Sequence, residues 1–105
     1  MSEHFSKPAW ESMSLFEQMG NIGSEVGRAL NAKSRNEQAS MEAAFRRGLD
    51  LIDYTVSLWS KAKFHRTREL LRAREQFASA VINDEKNNIE KYFFQFALAS
   101  RINRK

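Results

Sequence analysis

The side chains that could do chemistry in this chain are few, and their spacing suits little of it. The histidines are His4 and His65, and there is no cysteine. Disulfides, thiolate metal sites and cysteine nucleophiles are therefore excluded. Helical di-metal centres take Glu-x-x-His pairs from facing helices. Ala62 stands three residues before His65, and no such pair exists. Asp50 and Asp53 have the i, i+3 spacing at which helical nucleotide hydrolases gather carboxylates around magnesium. Those enzymes need several such pairs, and Arg46 and Arg47 offer these two aspartates plain salt-bridge partners. Some helical ribonucleases set an Arg four to six residues before a His, but Trp59, Ser60 and Lys61 hold those places. Gly20, Gly23 and Gly27 are spaced somewhat like a phosphate-cradling loop, without the preceding strand or the Gly-Lys-Ser/Thr that such a loop requires. These residues predict no catalytic group, no metal site and no cofactor.

Charge is the more informative feature. The net charge is +4, and residues 61–75 hold six Lys or Arg against two Glu. The balance is zero over residues 1–35, −2 over 36–60 and +2 over 76–105. One segment therefore matches the whole excess. On a helix, with about 100° per residue, Lys61, His65, Arg68 and Arg72 project within about 60° of one another. Such a row can follow a phosphate backbone, giving salt-dependent, sequence-tolerant affinity for RNA or DNA. The alternative is a solvated face with local pairs such as Arg72 with Glu75. Phe64 and Phe77 read as core, so no aromatic row is left to stack bases.

The elements that must position this row are helices. One Pro and four Gly argue against a many-turned β fold. Ser14 and Glu17 form a capping box, in which each side chain satisfies the other's free N–H. Leu15, Met19, Ile22, Val26 and Ala29 then recur at 4, 3, 4, 3 spacing, which lays one apolar stripe along a helix. Ser34 with Glu37 reads as a second capping box before Met41, Phe45, Gly48, Ile52, Thr55 and Trp59. The spacing predicts helices over about 14–34, 36–60, 62–82 and 86–102. Residues 1–13 read as an irregular arm docking by Phe5 and Trp10. Short connections favour antiparallel neighbours, so the expected fold is all-α, an up-and-down four-helix bundle. No signal pattern or membrane-length apolar run is present, and the expected location is the cytoplasm.

Several of these helices are apolar on more than one side. In the third, Phe64, Leu71, Ala78 and Ile82 flank the basic row opposite Leu70, Ala73, Phe77 and Val81. In the last, Ile89, Phe93 and Phe96 oppose Phe94, Leu98 and Ile102. A helix apolar on two sides is buried on two sides. Phe94, Leu98 and Ile102 are therefore expected to meet another copy of the chain, and a homo-oligomer would multiply the basic rows. The alternative is an adaptor that docks a different protein on those second faces. Gly20, Gly23 and Gly27 share one side of the first long helix. Each glycine costs about 1 kcal/mol relative to Ala inside a helix, and close approach of another helix is the expected offset.

The run Asn21-Ile22-Gly23-Ser24-Glu25-Val26-Gly27-Arg28 resembles the Asn-Ile-Ala-Glu-Gly-x-Gly-Arg signature of a four-helix-bundle family. Its members are encoded in intervening sequences of large ribosomal RNA genes. The accessory variability proteins of diversity-generating retroelements are related to them. Asn21, Ile22, Gly27 and Arg28 match in register, Gly23 replaces Ala, and Glu25 is displaced by one position. Arg47-Gly48 is similar to that family's Arg-Gly-Ser segment, with Leu49 in place of Ser. The resemblance implies an up-and-down bundle, a cyclic oligomer (pentamers occur) and a basic surface. It also implies binding to nucleic acid or a reverse-transcriptase-like protein rather than catalysis.

Overall fold

The computed structural model describes residues 6–59 and 64–103. They form five helices: α1 Lys7–Ser12, α2 Leu15–Ser34, α3 Gln38–Trp59, α4 Phe64–Ile82 and α5 Ile89–Asn103. Among the described residues there is no strand, and no helix is long and apolar enough to cross a membrane. The chain is all-α. Its radius of gyration, 13.4 Å, is that of a folded domain of this length, about 13 Å.

The segment read as an irregular arm carries a helix. Ser6 caps it in extended conformation, and Pro8 sits in its first turn, where the missing N–H is no loss. Six residues are too few to show a helical period, which is why the pattern missed it. The Ser14–Glu17 box forms as expected: Glu17 N–H donates to Ser14 Oγ at 3.1 Å, and Ser14 N–H to Glu17 Oε1 at 2.9 Å. The Ser34–Glu37 box does not form. Ser34 stays in the last turn of α2 and donates to the Asn31 carbonyl. Asn36 turns left-handed at φ 59°. Glu37 N–H then closes on the Ala32 carbonyl at 2.9 Å and Asn36 N–H on that of Lys33 at 3.1 Å. This is a Schellman closure, in which Asn tolerates the conformation usually given to Gly. α3 accordingly starts at Gln38 rather than Asn36. Asp84 ends α4 in the same left-handed region, at φ 55°. Before α5, Asn87 Oδ1 accepts the Ile89 N–H at 3.1 Å.

The stripe of α2 runs through the middle of the core. Met19, Ile22, Val26 and Ala29 are fully buried, and so are Ile52 of α3, Leu70 and Phe77 of α4, and Ile89 and Phe93 of α5. Burial of each large apolar side chain contributes roughly 1.5–3 kcal/mol. The rings of Phe45 and Phe77 meet edge to face at 5.0 Å. α1 is fastened by polar groups inside this core. The Trp10 indole donates to Thr55 Oγ1 at 3.0 Å, and that hydroxyl donates to the Leu51 carbonyl. Gln18 Nε2 donates to the Trp10 carbonyl at 2.8 Å, while its Oε1 accepts the Trp59 indole at 3.0 Å. Gln18, Thr55 and both indoles are buried with these groups satisfied, as buried polar groups must be.

The helix that approaches the glycines is α5. A Cβ placed on Gly20 would lie 3.3 Å from Ala97 Cα, on Gly23 2.6 Å from Phe93 Cβ, and on Gly27 3.5 Å from Glu90 Oε2. Residue number rises on α2 as it falls on α5, so these two helices run in opposite directions. At Gly23 the absent Cβ is what lets the backbones come this near.

Candidate nucleic-acid interface

α4 points Thr67, Leu70, Ala73, Phe77 and Val81 into the core. Its helical period therefore turns His65, Arg68 and Arg72 outward, and all three are exposed. Lys61, the fourth member of the row, lies outside the described residues. Leu71 and Ile82 flank the row and are also exposed. The face thus sets two exposed arginines and a histidine beside an apolar edge. Among the described residues Arg72 forms no ion pair, with Glu75 or otherwise.

Two other arginines of the same helix lie outside the row and are paired with acidic side chains. Arg74 Nε and Nη2 clasp the Asp53 carboxylate of α3 at 2.7 and 3.1 Å. The hydrogen bond to Asp53 raises the Arg74 pKa further above its usual value. The expected Asp53 partners were Arg46 and Arg47. The helix crossing brings Arg74 there instead, a pairing across 21 residues that local spacing does not reveal. Arg66 Nη1 donates to Glu69 Oε1 at 3.0 Å, and its guanidinium lies 5.8 Å from the Phe96 ring centre. Glu69 also accepts the Tyr92 hydroxyl at 2.6 Å. Burial, and then that hydrogen bond, push the Tyr92 phenol well above its usual range. Asp50 and Asp53 gather no further ligands: among the described residues no group of three or more His, Cys, Asp or Glu could hold a metal ion.

On α5, Ile89, Phe93 and Phe96 are buried, and Phe94, Leu98 and Ile102 face away from them with 54%, 41% and 74% of their surface exposed. This is an outward apolar strip at i, i+4, i+8 spacing. Arg101 is exposed on the same helix.

One charged cluster escaped the reading by spacing. Glu25 is buried on α2, and its Oε2 accepts from Arg47 Nε of α3 and forms an ion pair with Arg28 Nη1, both at 3.2 Å. Its Oε1 is buried with no hydrogen-bond partner. The signal was a Glu at i with an Arg at i+3, which alone says nothing of the second Arg arriving from α3. No protein-family model, curated protein or solved structure matches this chain.

Proposed function

We propose that the protein is a non-enzymatic, cytoplasmic up-and-down bundle of four long helices that self-associates and presents a basic surface to nucleic acid or to a reverse-transcriptase-like enzyme. The observation that carries this reading is the outward row of His65, Arg68 and Arg72 on α4. The core fixes the opposite face of that helix, so the cations keep a common direction without ordering a loop. Self-association through Phe94, Leu98 and Ile102 would set several such rows around one axis and strengthen their field.

The test is fluorescence anisotropy with labelled RNA and DNA oligonucleotides. Wild type should bind at about 50 mM salt and weaken steeply as salt rises. Arg68→Glu with Arg72→Glu should abolish binding, with the helical circular dichroism and the mass in solution unchanged. A wild type that binds neither polynucleotide at low salt ends the proposal. The exposed strip on α5 supports a second reading, an adaptor that docks a different protein. A chain that sediments as a single subunit and captures one specific protein through Phe94 and Leu98 would favour it.

A further inference from the structure

Between α2 and α3 lies a groove of about 390 Å³ whose lining includes Arg28, Asn31, Arg35, Glu37, Ser40 and Arg47. The rest of the lining is alanine, so no large side chain fills it. Three arginines thus line one small space with Glu37 as the one acidic residue of the lining. Two of them are oriented in advance: the buried Glu25 carboxylate holds Arg28 and Arg47, one from each helix, through the same oxygen. Arg47 is engaged through Nε, and its terminal nitrogens make no other hydrogen bond among the described residues. Arg35 follows the last turn of α2 and forms no ion pair among the described residues. Guanidiniums match tetrahedral oxyanions through paired N–H donors. The Asn31 amide and Ser40 hydroxyl add neutral partners at the same groove. With Glu25 and Glu37 set against the three arginines the site keeps a small positive excess, and the number of N–H donors, more than the two oxygens of a carboxylate can engage, suits a phosphate group.

We infer that the α2–α3 groove is a binding site for a phosphate group, held by Arg28, Arg35 and Arg47, with Glu25 as the positioning residue beneath two of them. The inference is independent of the α4 row, and either can fail without the other.

The experiment titrates the full chain with inorganic phosphate at constant ionic strength and follows backbone and arginine Nε–H resonances by NMR. Saturable shifts are expected at Arg28, Arg35 and Arg47. Arg28→Gln with Arg35→Gln, both exposed side chains, should weaken binding by at least about tenfold, since each lost contact is a charge-assisted hydrogen bond. Glu37→Gln removes the one acidic side chain of the lining and should tighten binding, a gain that loss of folding cannot imitate. An oligothymidylate of about ten nucleotides (roughly one single-strand binding site) then separates the sources. Displacement of phosphate by the oligomer identifies a nucleic-acid backbone as the ligand. Phosphate binding indifferent to the oligomer identifies a free phosphate compound. Absence of saturable shifts, or an affinity unchanged in the double arginine variant, overturns the inference.

Discussion

Gly23→Ala and Gly27→Ala change the same helix by the same methyl group and should move stability in opposite directions. Each substitution gains about 1 kcal/mol of helix propensity. At Gly27 the new Cβ meets Glu90 Oε2 at 3.5 Å, an ordinary contact with the far end of a flexible side chain. The propensity gain survives there. At Gly23 the new Cβ lies 2.6 Å from Phe93 Cβ, whereas carbon atoms prefer about 3.5–4.0 Å. Phe93 Cβ is one bond from the backbone and cannot rotate away, so α5 itself must move. Overpacking of this kind costs typically 1–3 kcal/mol. Taking the upper value, the net loss is about 2 kcal/mol after the propensity gain. With an unfolding entropy of about 2.1 cal/mol/K per residue, Tm should fall by about 9 °C for Gly23→Ala and rise by about 4–5 °C for Gly27→Ala. Gly20→Ala, at 3.3 Å from Ala97 Cα, should fall between them. Thermal melts by circular dichroism at one fixed protein concentration read all three. A Gly23→Ala variant that melts at or above wild type would refute the claim that α5 sits against the bare backbone of α2.

Thr55→Val keeps the shape of Thr55 but removes the acceptor of the Trp10 indole. It should cost about 1–3 kcal/mol in urea unfolding, and adding Trp10→Phe should recover part of that loss; an unchanged midpoint for the single variant would contradict the buried hydrogen bond. Tyr92 binds its proton more tightly when folded than when unfolded, because burial and Glu69 raise its pKa. Its stabilising contribution should be complete below about pH 10 and fade as pH rises toward the folded value, so Tyr92→Phe should flatten the alkaline loss seen in wild-type urea midpoints, and parallel pH curves would count against it. Phe94→Ser with Leu98→Ser should reduce the sedimenting mass to one subunit while leaving helix content intact, and a wild type that already sediments as one subunit removes the basis for the oligomer.

The long helices were legible because their apolar residues repeat at helical spacing and every stripe residue of α2 from Met19 to Ala29 is in fact buried. Capping chemistry located the start of α2 but misplaced that of α3. Ser34 and Glu37 satisfy the pattern of a box, yet Asn36 could take a left-handed turn, and the chain closed α2 with it instead. α1 was hidden by its shortness. Its hold on the core through Gln18 and Thr55 was hidden because polar residues on an apolar stripe announce no partner. The outward face of α4 followed from its period. The pairing of Arg74 with Asp53 did not, because only helix crossing brings the two together. The same holds for Arg28, Arg35 and Arg47, whose shared groove exists only once α2 and α3 are side by side.

The ladder of Gly20, Gly23 and Gly27 also governs what α5 shows to the outside. With Phe93 seated directly on backbone, α5 cannot roll or slide without opening a gap on one rung and a collision on the next. Phe94, Leu98 and Ile102 are therefore mounted on a stiff rib whose pose was settled during folding. Any molecule that settles on that rib orders only side-chain rotamers, and so keeps most of the association energy that a loose helix would spend on becoming still.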